Sequence, residues 1–238
     1  MALERELKFS SPEGYVPSHA ELEWALSRAP LAGQHLEIGA GRVHRHRDTY
    51  YDDATGTLAA AGLVLRRREQ AGGVRLLTFK GPSAVTGALH EREELEVEDR
   101  SGGDQPVPEW PAAFASRLRG MARPGTLAPT LTLAVTRVSH RLRLTRPAAG
   151  PALLELAFDE VSCELPSRAL PAGAPGGSSG TARVEFHEVE LEALKGTEPD
   201  DLERISRALA TLIPLNASSA TKAERARALL DPFGPDPG

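Results

Sequence analysis

Cysteine occurs once in this 238-residue chain, at Cys163, which excludes an internal disulfide and any cysteine-built zinc site and leaves a small core or edge residue. Phe, Trp and Tyr together make up 5% of the residues, so there is little flat surface on which a nucleobase or thiazolium ring would stack. No apolar run approaches the roughly 20 residues that span a bilayer, and the charged start of the chain is unlike a signal peptide. The expectation is a cytoplasmic protein with no membrane partner. Positive charge is not in excess: 28 Lys and Arg face 33 Asp and Glu, and a net charge of −5 argues against a general nucleic-acid binder. Phosphate-binding loops are missing too. No Gly-rich segment ends in Gly-Lys-Ser/Thr, and Gly173, Gly176, Gly177 and Gly180 neither follow the dinucleotide spacing nor open a helix. The seven histidines form no zinc pattern, and His44 and His46, which share a strand face, read as a solvated pair. No serine sits in a nucleophile elbow.

What the chain does have is alternation. In Leu3-Glu4-Arg5-Glu6-Leu7-Lys8-Phe9, successive side chains of a strand point to opposite faces, so Glu4, Glu6 and Lys8 project together. The same arrangement recurs. Arg66 and Arg68 share a face, as do Thr78 and Lys80, then Arg92, Glu94 and Glu96, then Glu155 and Asp159, then Glu188, Glu190 and Glu192. Arg137 and Arg141 align if the backbone between them stays extended. The opposite faces carry Leu63, Leu65, Leu77, Phe79, Leu154, Leu156, Phe158, Val189 and Leu191.

Strands are expected at Leu3–Phe9, Val43–Asp52, Leu63–Glu69, Val74–Lys80, His90–Glu98, Leu131–Arg137, Arg141–Thr145, Leu153–Val161 and Val184–Leu194. Ala71-Gly72-Gly73 forms a hairpin turn between two of them. Helices are expected after the capping box Ser18-His19-Ala20-Glu21, at Leu58–Ala61 before Gly62, at Trp110–Met121, after Thr197-Glu198-Pro199-Asp200, and at Ser219–Leu230. Residues 166–180, rich in Gly, Pro and Ser, read as a flexible loop, and 231–238 as a disordered tail. This pattern describes an α+β protein: one domain over residues 1–230, built as an eight-stranded antiparallel β-barrel with amphipathic helices packed outside. If helices cover the apolar side of the sheet, the charged side lines the interior. Ionised groups there cost several kcal/mol each unless partnered, so the interior asks for a polyanion together with cations.

These landmarks resemble the CYTH domain, the family of triphosphate tunnel metalloenzymes. The N-terminal Glu4-x-Glu6-x-Lys8 is followed in family order by Tyr50-Tyr51-Asp52, Leu65-Arg66-Arg67-Arg68 and Leu77-Thr78-Phe79-Lys80-Gly81. Then come Arg92-x-Glu94, Thr136-Arg137, Glu155-Leu156-Ala157-Phe158-Asp159, Glu188-Val189-Glu190-Leu191-Glu192 and Lys222-Ala223-Glu224-Arg225. The series covers residues 3 to 225. Two departures stand out: Thr221 where a serine often precedes that lysine, and the long segment between the Asp159 and Glu188 strands.

The resemblance implies a tunnel enzyme acting on a small triphosphate, most simply inorganic triphosphate hydrolysed to diphosphate and phosphate. Thiamine triphosphatase and class IV adenylate cyclase are alternatives on the same fold, and a non-catalytic polyphosphate-binding module is the alternative from another class. Carried over residue by residue, Lys8, Arg66, Arg68, Lys80, Arg92, Arg137 and Lys222 would grip phosphate oxygens. Glu4, Glu6, Asp159, Glu188, Glu190 and Glu192 would hold metal, and Glu94 or Glu155 would orient the attacking water. An all-oxygen ligand set selects Mg²⁺ or Mn²⁺. Partners beyond the substrate are not indicated; a monomer or homodimer is expected. The crowded cations are expected to repel one another until an anion fills the tunnel.

Overall fold

The period-two alternation becomes strand after strand in a computed structural model, which describes residues 2–11, 15–29, 31, 33–101, 108–146, 149–164 and 183–231. In chain order the elements are β1 (Ala2–Ser10), α1 (His19–Leu26), β2 (His35–Ile38), β3 (Arg42–Asp52), α2 (Thr57–Ala60), β4 (Val64–Gln70), β5 (Arg75–Lys80), β6 (Ala84–Thr86) and β7 (Leu89–Glu98). They continue with α3 (Ala112–Leu118), a 3₁₀ turn (Pro124–Thr126), β8 (Ala128–Arg146), β9 (Ala149–Glu164), β10 (Arg183–Ala193), α4 (Pro199–Leu209), β11 (Asn216–Ala217) and α5 (Lys222–Leu230). The expected Pro166–Gly180 loop and the expected tail beyond Asp231 lie outside the described residues. No helix among the described residues is long and apolar enough to cross a membrane.

Eight strands pair in the order β1-β10-β9-β8-β3-β4-β5-β7, and β7 pairs back onto β1 from Leu89↔Leu7 to Glu94↔Ala2, closing an antiparallel barrel. Three short strands hang on its rims: β11 on β1, β6 on β7, and β2 on β8. The sequence reading missed these three, each too short to show a period. It also divided β8, whose backbone in fact runs extended through Val138, Ser139 and His140. The β4–β5 turn is the predicted one, with Gly72 and Gly73 at φ 103° and 85°, a region that a residue with a Cβ rarely enters.

Two apolar clusters lie on the barrel's outer face. Leu22 and Leu26 of α1 and Leu202, Ile205 and Leu209 of α4 cover Leu7, Leu142, Leu144, Leu154, Leu156, Phe158, Val189 and Leu191. Leu58 of α2 and Phe114 and Leu118 of α3 cover Tyr51, Leu63, Leu65, Leu77 and Phe79. The capping box Ser18/Glu21 starts α1, and Pro199 follows the N-cap of α4, both as the sequence indicates. The helix expected at Trp110–Met121 is shorter, Ala112–Leu118, with Trp110 stacked on Phe114.

The third cluster has a different position. Leu131, Leu133 and Val135 share strand parity with Arg137, so they belong to the barrel's inward face, as do Val161 and Cys163 on β9 and Phe186 on β10. Ala223, Ala226 and Leu230 of α5 pack against them. One end of the barrel is therefore filled with apolar side chains beneath α5, and charge is confined to the other end.

Leu156 is fully buried under α1 and α4. Leu156→Ala is expected to lower unfolding free energy by about 2–5 kcal/mol, measured by chemical denaturation; a loss below about 1 kcal/mol would show that this cluster is not the barrel's main apolar support.

Candidate functional site

The open half of the barrel holds a cavity of about 350 Å³. Among the described residues, seven carboxylates and eight cationic side chains line it. Register explains how they coexist. Opposite charges face each other across neighbouring strands at Glu4↔Arg92, Lys8↔Glu190, Lys80↔Glu94, Arg137↔Asp159, Arg141↔Glu155 and Asp48↔Arg68. Such directly opposed pairs are the unit of sheet stabilisation.

Ion pairs knit these positions together. Glu4 accepts from Lys80 Nζ and Arg92 Nε, both at 2.6 Å, and Arg92 Nη2 reaches Glu6 at 3.0 Å. Burial alone would raise the Glu4 carboxyl, but Lys80 and Arg92 hold it well below the usual range. Lys8 stands 3.2 Å from Glu6 and 3.3 Å from Glu190. Arg137 forks onto Asp159 with two bonds of 2.7 Å and also donates to Glu190 at 2.5 Å.

The floor is set by α5. Its N-cap Thr221 accepts from the Glu224 amide, as a serine would, and this fixes Lys222 at the first helical position. Lys222 pairs with Glu190, and with Asp159 at 3.0 Å and Glu188 at 3.1 Å. Burial would lower this ammonium, yet the three carboxylates hold it well above its ordinary value. Arg225 completes the floor, 2.8 Å from Glu188.

Thirteen of the fifteen residues singled out in the sequence line the cavity: Glu4, Glu6, Lys8, Arg66, Arg68, Lys80, Arg92, Glu94, Arg137, Glu155, Glu190, Glu192 and Lys222. Asp159 and Glu188 do not; they lie below Lys222, neutralised by it and by Arg137 and Arg225. The idea of self-repelling cations is corrected by the same geometry, because carboxylates already engage Lys8, Lys80, Arg92, Arg137 and Lys222. His46 is corrected as well. It is buried, not solvated, and burial together with Arg68 lowers its pKa to about 3, so it stays neutral. His44 is exposed, as expected.

The sequence reading left Arg141, Glu96, Gln70 and Tyr50 out of the site, although all line the cavity. It also overlooked Asp48, fully buried behind Arg66 and Arg68. Strand parity with His46 and Tyr50 was the available signal.

Among the described residues, no three His, Cys, Asp or Glu side chains stand ready as a metal site. The donor chemistry nonetheless fits a hard divalent cation. Glu192 is opposite Glu6 on one neighbouring strand and Glu155 on the other, and among the described residues no ion pair forms on it. Burial, then Glu4, Glu6 and Glu190, push its carboxyl up to about 7. A divalent cation relieves this kind of like-charge seam, and oxygen ligands favour Mg²⁺ or Mn²⁺. The Nε–H of Arg66 is buried without an acceptor among the described residues.

A family model for the CYTH domain matches residues 17–226. Among solved structures, HpAC1 from Hippeastrum, described as a candidate adenylyl cyclase with a dominant triphosphatase activity, is 21% identical, with 94% of this chain and 95% of that one covered and a TM-score of 0.56. A candidate adenylate cyclase from Bacillus halodurans is 17% identical over 94% of this chain and 98% of its own, with a TM-score of 0.48. The first of these likenesses is one of fold. A comparison with curated proteins returned no match.

Glu192 generates a pH prediction. Its folded pKa is raised, so the native state holds a proton that the unfolded chain has released, and that stabilisation is lost as pH rises through about 7. In chelator, the melting temperature of Glu192→Gln should gain on wild type as pH goes from 6 to 8. A constant difference between the two proteins would mean that Glu192 is ionised throughout.

Proposed function

Because the chain belongs to the CYTH domain family, we propose that it hydrolyses inorganic triphosphate to diphosphate and phosphate inside the barrel, as one domain spanning residues 1–230. The observation that carries this reading is the cavity lining: eight cations and seven carboxylates, with Tyr50 the sole aromatic among the lining residues. Tyr50 packs with the floor cluster and offers no platform at the mouth. A bare phosphate chain uses such a wall fully, whereas a base or thiazolium ring finds no aromatic among the described lining residues except the buried Tyr50.

Arg66, Arg68, Arg92 and Arg137 present planar donors to phosphate oxygens, and Lys8, Lys80 and Lys222 act as point charges. Glu4, Glu6 and Glu192, with Glu190, are the residues that would hold Mg²⁺ or Mn²⁺; Asp159 and Glu188 serve the floor. The bound cation supplies charge neutralisation on the phosphates and a lowered pKa for water. Water attacks the terminal phosphorus in line, and the bond to the bridging oxygen breaks with its electrons leaving on diphosphate. Glu94 suits the acceptor of the water's proton. It lines the cavity, 3.4 Å from Lys80, and burial raises its carboxyl despite that lysine. Glu155, 3.1 Å from Arg141 and 3.7 Å from Arg137, holds the rim.

Phosphate release should be measured with triphosphate, ATP and thiamine triphosphate, each with Mg²⁺ and Mn²⁺, with cyclic AMP followed in parallel. Triphosphate is expected to turn over fastest. Preference for ATP or thiamine triphosphate would move the assignment within the fold, and binding without turnover would leave a polyphosphate-binding module.

Chelation should abolish turnover, and Mg²⁺ or Mn²⁺ should restore it; full turnover in excess chelator would overturn the metal assignment. Glu4→Gln should slow turnover by at least about a hundredfold while the protein stays folded. A near wild-type rate would reduce Glu4 to a structural partner of Lys80 and Arg92.

A further inference from the structure

Arg66 and Arg68 lie two residues apart on one face of β4, where two guanidinium groups would repel each other and swing apart. A carboxylate that is not part of the cavity wall prevents this. Asp48, opposite Arg68 in the β3–β4 register, is fully buried. Its Oδ1 and Oδ2 accept from Nε and Nη2 of Arg68, both at 2.8 Å, and Oδ2 accepts from Nη1 of Arg66 at 3.4 Å. Because Asp48 takes the Nε edge of the Arg68 fork, the remaining Nη1 edge is left for the cavity. On the other side, Thr78 Oγ1, also fully buried, accepts from Arg66 Nη2 at 3.1 Å and donates to Glu96 at 3.0 Å. Arg66 is thus held at both Nη atoms, while its buried Nε–H has no acceptor among the described residues. Besides Asp48, Arg66 has the part-exposed Glu96 3.6 Å from its Nη2, so both cations are partnered at rest and an incoming anion competes with Glu96 for Arg66.

We propose that Asp48, assisted by Thr78, is a positioning residue that fixes Arg66 and Arg68 as a preformed receptor for phosphate oxygens without touching the substrate. This rests on the reading of the cavity as a triphosphate site. Preorganised donors lose little freedom when the anion arrives, which is where the affinity gain of such an anchor lies.

The test is a titration of inorganic triphosphate in chelator, read by calorimetry, together with steady-state kinetics with Mg²⁺. Failure of wild type to bind or hydrolyse triphosphate would strike at the parent reading; the positioning role is judged on ratios between proteins. Asp48→Asn should weaken triphosphate binding and raise KM by about tenfold or more. In an Arg66→Ala/Arg68→Ala background the same substitution should add almost nothing, since it acts through those two side chains. Wild-type affinity in Asp48→Asn, or a loss that adds fully in that background, would overturn the proposal. Should Asp48→Asn not fold, Thr78→Val and Thr78→Ser decide. The first is expected to raise KM more than it lowers kcat, and the second, which keeps the hydroxyl, to restore it. Equal KM for both would overturn the proposal.

Discussion

Pairing of β7 with β1 turns a sheet into a closed surface, and closure is what forces the chain to solve an electrostatic problem. An open sheet with Glu4, Glu6, Lys8, Arg92 and Glu94 on one face would leave them in water at little cost. Once the edges join, the same face becomes an interior, where an unpartnered charge costs several kcal/mol. The register of the closing pair supplies the answer, because it sets Glu4 against Arg92. Slippage by one residue would put Leu3, Leu7 and Phe9 inside and the carboxylates under the helices. Charge pairing and apolar cover therefore select the same register.

The resting lumen is accordingly a set of satisfied contacts. Glu4 holds Lys80 and Arg92, and Glu190 holds Lys8, Arg137 and Lys222. An anion entering this wall competes with carboxylates for the same donors, whereas a divalent cation competes with the donors for the same carboxylates. In the proposed reading each makes room for the other, and the coupling is reciprocal by thermodynamic necessity. Arg66 shares the Asp48 carboxylate with Arg68 and also stands 3.6 Å from Glu96, while its buried Nε–H has no acceptor among the described residues.

Much of this was legible in the chain because barrel strands carry their environment in their parity. The run Glu188, Glu190, Glu192 against Val189 and Leu191 states both faces of β10, and the structure follows it. What parity does not state is depth. Asp159 has the same alternation as Glu155, yet one lies beneath Lys222 and the other at the rim, because α5 fills one end. His46 looked solvated for the same reason. Leu131, Leu133 and Val135 lie on the inward face of β8 beneath α5, and nothing local in the sequence distinguishes an apolar side chain under a helix from one under a plug. Between Arg137 and Arg141, Ser139 and His140 are polar residues buried in the long β8; a hydrogen bond joins His140 Nδ1 to the Gly39 carbonyl.

The apolar packing beneath α5 carries one more implication. With Lys222 and its carboxylates forming a floor, traffic through the charged half of the barrel passes by the rim where Arg141 is largely exposed. On the proposed reading, a phosphate chain would enter such a compartment with one end leading, and after a cut near the floor the inner fragment would leave behind the outer one. The order of product departure would then follow from the architecture, and the dwell time of the outer fragment would limit how soon the next chain could enter.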